Sequence, residues 1–200
     1  MEGPAVSADA DVSEHVGPWT EADYQALPET ANRIELVDGA LVVSPIANRP
    51  HQRLALRLAF ALDESAPSHL EVHGELNVRL GRDRILIPDL VVADNPGGTE
   101  TFVDASHVVL VAEITSPSNA GIDRLLKPQL YAAAGIPHFL RIDLADAADA
   151  APAAVAYRLR GERYEEVRRV EPGQILSLTE PFAAELDLAD LAARTRPPAR

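Results

Sequence analysis

Residues 108–115 read VVLVAEIT, a nearly continuous apolar run that contains one acidic residue, Glu113. A run of this kind, without alternation, is typical of a strand that is covered on both faces in the middle of a sheet. A lone buried carboxylate is costly and would normally take up a proton, so Glu113 needs a cation beside it. The run therefore predicts a central strand with a charged group built into it.

The sequence on either side of this run predicts an α/β protein. Strands are indicated at 72–80, 84–93 and 138–143, and helices at 51–64 and 121–134. Strands interleaved with helices favour a mixed central sheet that helices flank.

Hairpins are predicted at both ends of this sheet. Asp38-Gly39 is a strong two-residue turn signal between the alternating arms of residues 33–43. A second hairpin is predicted over residues 155–170, and a terminal helix at 185–194.

Composition limits the classes to which the chain can belong. Its 200 residues are enough for one domain with a full core, and 46% of them are hydrophobic. There is no cysteine, which excludes disulfides and thiolate metal sites. The net charge of −13 counts against a dedicated nucleic-acid-binding protein, although an enzyme can oppose its overall charge locally.

Location and domain limits follow from the same composition. No apolar run approaches the roughly 20 residues of a membrane span, and the first residues lack the features of a signal peptide. We therefore expect a cytoplasmic protein. Residues 1–17 are polar and acidic and are predicted to form a disordered tail, which a single domain follows over residues 18–195.

One lysine, Lys127, stands among 18 basic residues, and all the others are arginine. It follows two acidic residues in apolar surroundings, Asp89 and Glu113. An ammonium is a compact, movable charge whose pKa can be tuned, and a guanidinium is not. Two carboxylates and one ammonium are the groups that a metal-dependent phosphodiester-cleaving site needs. The alternative is that the lysine stands there by chance.

Asp89 follows Pro88 inside a second apolar stretch. Proline cannot donate a ladder hydrogen bond, so Pro88 indicates a sheet edge or a bulge that re-aims the next side chain. Asp89 and Glu113 offer hard oxygen ligands of the kind that Mg²⁺ and Mn²⁺ prefer. A shared divalent cation would offset the cost of burying Glu113. The alternative is an ordinary ion pair between Glu113 and Arg141 or Arg79.

A basic stripe is predicted on the first long helix. Arg49, Arg53 and Arg57 are spaced at i, i+4 and i+8, which places them on one helical face. This face is either solvated or a strip that binds phosphates.

Other side chains near the predicted site carry weaker signals. His51 lies at the start of the first long helix, as a cap neighbour or as a phosphate contact. Tyr131 belongs to the core or lines the site, and Asp123 is one helical turn before Lys127, where the two can pair. The hydroxyls of residues 116–118 can cap the next helix.

Seven pieces of sequence, none specific alone, form a specific combination. They are Arg33–Leu41 (RIELVDGAL), Ser44-Pro45, His51, Pro88–Val92 (PDLVV), Glu113–Ser118 (EITSPS), Asp123 with Lys127 and Tyr131–Pro137 (YAAAGIP), and Leu140–Asp143 (LRID). Together, over residues 19–160, they resemble the restriction-endonuclease-like family described as a domain of unknown function, within the PD-(D/E)XK nuclease superfamily.

The resemblance implies a restriction-endonuclease-like fold and a Mg²⁺-dependent (or Mn²⁺-dependent) endonuclease that acts on DNA, often as a homodimer. It implies that Asp89 and Glu113, with the carbonyl of Ile114, bind the metal. It also implies that Glu35 is a further acidic residue of the catalytic site.

The chain departs from the superfamily's pattern at one position. The usual lysine stands two residues after the acid, where this chain has Thr115. The resemblance implies that Lys127, from the following helix, takes its place as a catalytic residue. Pro128 disfavours helical backbone at the residue before it, so we expect a helix start or a kink at Lys127.

Two other functions stay open at this point. The missing strand lysine and the net charge of −13 favour a catalytically inactive nuclease-fold module that binds or regulates. The acidic composition would also suit a metal-dependent hydrolase of a small phosphodiester.

Overall fold

The computed structural model describes residues 15–28, 32–44, 46–94, 101–115, 120–144 and 151–193, apart from the side chains of residues 120–124. Most of the predicted N-terminal tail lies outside the described residues. So do the predicted roles of residues 116–118 and of the Asp123 side chain.

Within these residues the helices and strands are as follows. The helices are α1 (Glu21–Gln25), α2 (Arg49–Ser65), α3 (Ala120–Ala133) and α4 (Leu188–Ala192). The strands are β1 (Arg33–Val37), β2 (Ala40–Ser44), β3 (Glu71–Gly74), β4 (Asn77–Gly81), β5 (Arg84–Leu86), β6 (Leu90–Ala93), β7 (Phe102–Asp104), β8 (Val108–Thr115), β9 (His138–Asp143), β10 (Ala153–Arg160), β11 (Arg163–Val170), β12 (Ile175–Leu178) and β13 (Ala184–Asp187). None of the described helices has both the length and the apolar character that a membrane crossing requires.

The described strands form two larger sheets and a separate hairpin. The orders are β2-β1-β5-β4-β7, β11-β10-β9-β8-β6-β3 and β12-β13. Strand β8 pairs in parallel with β9, which α3 connects to it, and antiparallel with β6. Its residues are buried except for the half-buried second one, which confirms the predicted central strand. The mixed sheet and its flanking helices confirm the predicted α/β class.

Two apolar clusters cover the two faces of the six-stranded sheet. On one face, α2 packs through Leu54, Leu58 and Leu62, beside the β12–β13 hairpin. On the other face lie α3 and the five-stranded sheet, with Tyr131 and Phe139 among the largest side chains. The alternation of side chains along β8 therefore serves two different cores.

The strands predicted at 72–80 and 84–93 are each divided between the two sheets. Glu75, with a φ of +51°, separates β3 from β4, and Pro88 lies between β5 and β6. Strands β3 and β6 pair in the six-stranded sheet, whereas β4 and β5 pair in the five-stranded sheet. The prediction of two continuous strands is therefore wrong. Since proline offers no N–H to a ladder, the chain leaves one sheet for the other beside Asp89.

Both predicted hairpins are confirmed, as β1–β2 and β10–β11. In the first, Asp38 and Gly39 have φ angles of +50° and +83°, the left-handed conformation that this two-residue turn requires. A Cβ added at Gly39 would lie 2.7 Å from the Cβ of Pro18, so the turn also needs glycine for space.

The predicted terminal helix is wrong in its first half. Residues 184–187 form strand β13, in which buried Ala184 and Leu186 alternate with exposed residues. The helix begins only at Leu188, after Asp187, whose side chain accepts a hydrogen bond from the amide of Asp190. The alternation of buried positions is that of a strand and not of a helix.

The basic stripe on α2 holds α4 in place. Arg53 donates from Nη2 to the carbonyl of Ala192 at 3.0 Å. Arg57 donates from Nη1 to the carbonyls of Asp190 at 3.0 Å and Ala193 at 2.8 Å. These contacts satisfy carbonyls at the end of a short helix, where cations are favourable. For Arg53 and Arg57 the predicted solvated face is therefore wrong, whereas the phosphate strip stays a prediction.

Helix α3 runs through Pro128 and extends from Ala120 to Ala133. It ends before Gly135, whose φ is +80°, as expected for a glycine that terminates a helix. The expected helix start at Lys127 is therefore wrong, since this residue lies inside α3.

Candidate active site

Four side chains from four different parts of the fold converge at one place. Glu35 comes from β1, Asp89 from the loop between β5 and β6, Glu113 from β8 and Lys127 from α3. Their exposed fractions lie between 1% and 3%. They are the four residues predicted as catalytic, and the fold brings them together.

The ammonium of Lys127 joins two of the acids. Its Nζ lies 3.1 Å from Glu113 Oε1 and 3.1 Å from Glu35 Oε1. One helical turn further on, Tyr131 donates its hydroxyl to the same Glu113 oxygen at 2.5 Å. Positions i and i+4 share a helix face, so α3 presents both donors to β8. Tyr131 thus belongs to the core and lines the site.

Glu35 also fixes the loop that carries Asp89. Its Oε1 accepts a hydrogen bond from the amide of Ile87 at 2.9 Å. Ile87 comes directly before Pro88, at the point where β5 has ended. The carboxylate of Glu35 therefore replaces the ladder partner that this amide loses where the strand breaks.

Both oxygens of Asp89 have partners. Oδ2 accepts a hydrogen bond from the amide of Ile114 at 2.7 Å and lies 3.0 Å from Nε2 of His51. Oδ1 accepts a hydrogen bond from Nη1 of Arg33 at 2.8 Å. Because Ile114 follows Glu113 in β8, the bond to its amide holds Asp89 against the strand that carries the other predicted metal ligand.

Arg33 approaches all three acids. Besides its bond to Asp89, its Nη2 lies 3.7 Å from Glu113 Oε2 and 3.7 Å from Glu35 Oε1. Its side chain is 19% exposed, whereas those of the acids are almost fully buried. The side chain of Arg33 is therefore more exposed than the carboxylates that it contacts.

The contacts within the site shift the pKa values of Asp89, His51 and Tyr131. Burial opposes the ionisation of Asp89, but the hydrogen bond from His51 and the charge of Arg33 outweigh it and hold its pKa well below the usual value. Burial likewise lowers the pKa of His51, and the contacts with Asp89 more than reverse this, so the net shift is upward. Burial and the charge of Glu113 raise the pKa of Tyr131, which keeps its hydroxyl proton for donation.

The alternative ion pairs predicted for Glu113 are not formed. Arg141 donates to Asp143 at 3.2 Å. Arg79 pairs with Glu21 and Asp104. Glu113 is instead held by cations from β1 and α3.

Thr115 stands at the position of the superfamily's usual lysine, and its side chain contacts the neighbouring strand β9. Its hydroxyl donates to Asp143 Oδ1 at 2.6 Å. The strand therefore supplies no cation at this position. The ammonium in the cluster is that of Lys127, from α3.

Two members of the cluster were not identified from the sequence as site residues. Arg33 lies two residues before Glu35 on β1, and period-two alternation places both on one face of the strand, which is a signal that could have found it. For His51 the sequence left two roles open, a cap neighbour and a phosphate contact. Its amide bonds to Asn48, the N-cap of α2, while its ring contacts Asp89. No local pattern predicts the second contact.

The donor chemistry of the site suits a hard divalent cation. Asp89 and Glu113 present carboxylate oxygens to one and the same cationic group, the guanidinium of Arg33. One or two carboxylates, completed by water and substrate oxygens, is a common arrangement for Mg²⁺. Within the described residues, no three His, Asp or Glu side chains are arranged around one point for a metal ion. The two carboxylates fit the ion, which would need further ligands from backbone or water.

Comparisons with known proteins give one family match and one structure of similar fold. The sequence profile of a family described as "Uma2: Putative restriction endonuclease" matches residues 21–192. No curated protein matches the chain. The crystal structure of a putative nuclease belonging to DUF820, from Anabaena variabilis, is similar, with a TM-score of 0.68 and 20% sequence identity. The match covers 88% of this chain and 98% of that one, and it shows a shared fold.

Proposed function

The chain belongs to the Uma2 family of restriction-endonuclease-like proteins, and on that premise we propose that it is a Mg²⁺-dependent endonuclease that hydrolyses DNA phosphodiester bonds. One observation carries the proposal: three carboxylates and the only lysine of the chain are buried together. Apolar residues of similar volume are often as stabilising as a buried ion pair, or more so. The cluster is thus better explained by chemistry than by stability.

Two acids would hold the metal. Asp89 and Glu113, with the carbonyl of Ile114, would supply oxygen ligands to Mg²⁺ or Mn²⁺. When bound, such an ion lowers the pKa of a water molecule and offsets the charge that develops on the phosphate. Asp89 is prepared for this role, because the amide of Ile114 already orients its carboxylate.

Lys127 would act on the attacking water or on a phosphate oxygen. Its Nζ, held by Glu35 and Glu113, would donate a hydrogen bond there and offset negative charge in the transition state. Glu35 would position this ammonium and, through Ile87, the loop of Asp89. Removal of one such electrostatic stabiliser typically lowers the rate by about 10²–10³-fold.

Cleavage of duplex DNA in Mg²⁺, with EDTA as the blank, tests the proposal. We expect Lys127→Ala and Asp89→Ala to abolish metal-dependent cleavage. Loss of the ammonium leaves the buried carboxylates of Glu35 and Glu113 without this cation, which destabilises the fold. Lys127→Met keeps the aliphatic stem of the side chain and should therefore be measured beside the two alanine variants.

The matched control is Arg84→Met, which removes an exposed cation paired with Asp38. This variant should cleave at the wild-type rate. Thermal melting of each variant establishes that it is folded. Full activity in folded Lys127→Met or Asp89→Ala would contradict the assignment.

A second function, a catalytically inactive module of the same fold, is favoured by one observation. The predicted metal ligands are already paired with cations of the chain itself. Calorimetric titration with Mn²⁺ separates the two functions. Binding that disappears in Glu113→Ala supports the enzyme, and no binding at millimolar metal supports the module.

The remaining expectations stay predictions. They are the preference for DNA over RNA or a small phosphodiester, assembly as a homodimer, and location in the cytoplasm.

A further inference from the structure

Arg33 occupies the space between the two predicted metal ligands. Its Nη1 is 2.8 Å from Asp89 Oδ1, and its Nη2 is 3.7 Å from Glu113 Oε2. The other oxygen of each acid faces different partners. Oδ2 of Asp89 is held by Ile114 and His51. The two oxygens that could bind one cation together therefore both face this guanidinium.

The other oxygen of Glu113 belongs to the opposite side of the cluster. Oε1 accepts hydrogen bonds from Lys127 at 3.1 Å and from Tyr131 at 2.5 Å. Both donors come from α3, whereas Arg33 comes from β1. A cation that enters between Asp89 and Glu113 therefore meets Arg33 and leaves the contacts with α3 intact.

The guanidinium is incompletely satisfied where it lies. It carries five N–H donors. Among the described residues it makes one hydrogen bond, to Asp89, and its buried Nε has no hydrogen-bond partner. A buried donor without a partner is unfavourable, which lowers the cost of moving this side chain. The side chain is also 19% exposed, so part of it already contacts solvent.

Charge makes joint occupancy unfavourable. Glu35, Asp89 and Glu113 carry three negative charges, and Arg33 and Lys127 carry two positive ones. By these formal charges, a divalent ion added beside both cations leaves the cluster net positive, whether or not His51 is protonated. Because the interior screens charges weakly, the metal and the guanidinium repel each other at these distances.

We propose that Arg33 sets the metal affinity of this site: its guanidinium holds the position between Asp89 Oδ1 and Glu113 Oε2, and a divalent cation binds there only as Arg33 leaves. This inference rests on the proposed function, because it takes Asp89 and Glu113 as the metal ligands.

Calorimetric titration of Mn²⁺ into the full chain tests it. Arg33→Gln removes the competing charge, so its Kd for Mn²⁺ should be at least about tenfold lower than that of the wild type. Arg84→Gln makes the same change in net charge at an exposed position and should leave the Kd unchanged. Arg33→Met should act like Arg33→Gln and serves as a second variant if one of them does not fold.

Thermal melting gives an independent measurement. Without metal, Arg33→Gln should melt at a lower temperature than the wild type, because its carboxylates lose a cation. At one free concentration well above both Kd values, Mn²⁺ should raise the melting temperature of Arg33→Gln more than that of the wild type, since the ligand that binds more tightly stabilises more.

The outcomes separate this inference from the proposed function. Suppose that the wild type binds Mn²⁺, that Glu113→Ala abolishes this binding, and that folded Arg33→Gln and Arg33→Met bind equally or more weakly. This result overturns the role of Arg33 and leaves the metal site standing. Tighter Mn²⁺ binding by Arg33→Gln than by the wild type, with an unchanged Kd in Arg84→Gln, supports the role of Arg33. Absence of binding in the wild type and in both Arg33 variants overturns the inference and the metal site together.

Discussion

The two faces of strand β8 are buried in opposite chemical surroundings, one apolar and one charged. One face is apolar throughout and packs beneath α2; its residues are Leu110, Ala112 and Ile114. The other carries Val108 and Val111, which belong to the cluster of α3, and then changes to the buried acid Glu113. A single strand thus contributes to an ordinary core and to a charged site.

The difference shows which face is built for stability. Apolar side chains gain free energy from burial without any particular partner. Glu113 requires Lys127, Tyr131 and Arg33, contributed by two other elements, to offset its desolvation. Substitutions on the apolar face should therefore change the free energy of unfolding, and substitutions on the charged face should change metal binding and cleavage.

The largest effect is expected for Glu113→Gln, which keeps the shape of the side chain and removes its charge. Cleavage of DNA in Mg²⁺ should fall by about 10²–10³-fold, because a proposed metal ligand and an electrostatic contact are lost together. Steady-state cleavage with thermal melting as a folding check measures this. Asp104→Asn, an exposed acid on β7, is the control and should retain activity. A folded Glu113→Gln protein that cleaves at the wild-type rate would contradict a role in cleavage for the charged face of β8.

On the apolar face, Leu58→Ala in α2 should destabilise the protein by about 2–5 kcal/mol. Leu58 is fully buried beneath the sheet, so its truncation leaves a cavity. Urea unfolding gives the change in free energy, and Mn²⁺ calorimetry on the folded variant should give the wild-type Kd. Leu56→Ala, an exposed leucine on the same helix, is the control and should change stability little. A changed metal affinity in Leu58→Ala would show that the two faces are coupled.

Tyr131→Phe tests the boundary between the two faces, because the ring packs in the core while the hydroxyl reaches Glu113. Loss of this hydrogen bond to a carboxylate should cost about 1.5–3 kcal/mol of stability. Cleavage should persist, since Lys127 still contacts Glu113. Urea unfolding and DNA cleavage measure the two quantities. Tyr164→Phe, whose hydroxyl bonds to the carbonyl of Ile136, removes a comparable hydroxyl away from the site.

The smallest effect is expected for Arg57→Met, far from the charged site. It removes the donors that hold the last carbonyls of α4, so stability should fall by about 0.5–1.5 kcal/mol. Thermal melting measures it, and Arg49→Met, exposed on the same stripe, is the control. Reduced DNA binding by Arg57→Met would support a phosphate strip on α2.

The sequence predicts those parts of the fold that local patterns determine. The apolar run at 108–115 and the Asp38-Gly39 turn correspond to β8 and the first hairpin, because burial on both faces and positive φ leave direct signatures. The division of the strands around Glu75 and Pro88 was not predicted. Pairing within two separate sheets depends on partners distant in the chain, and no local pattern contains it.

The candidate site follows the same rule. Asp89, Glu113 and Lys127 stand out because charge in an apolar context is rare, and Glu35 follows from the family resemblance. His51 reaches Asp89 across 38 residues of sequence. Such a contact exists only once α2 has packed against the sheet, so no spacing in the sequence indicates it.

Diffraction from crystals soaked in Mn²⁺ would show whether Asp89 and Glu113 form a metal site. We expect a peak of anomalous density between the carboxylates of Asp89 and Glu113, within reach of Lys127, with the side chain of Arg33 moved out of that position. A fully occupied Mn²⁺ bound elsewhere, or no density at this place at millimolar metal, would contradict the assignment of these acids as a metal site.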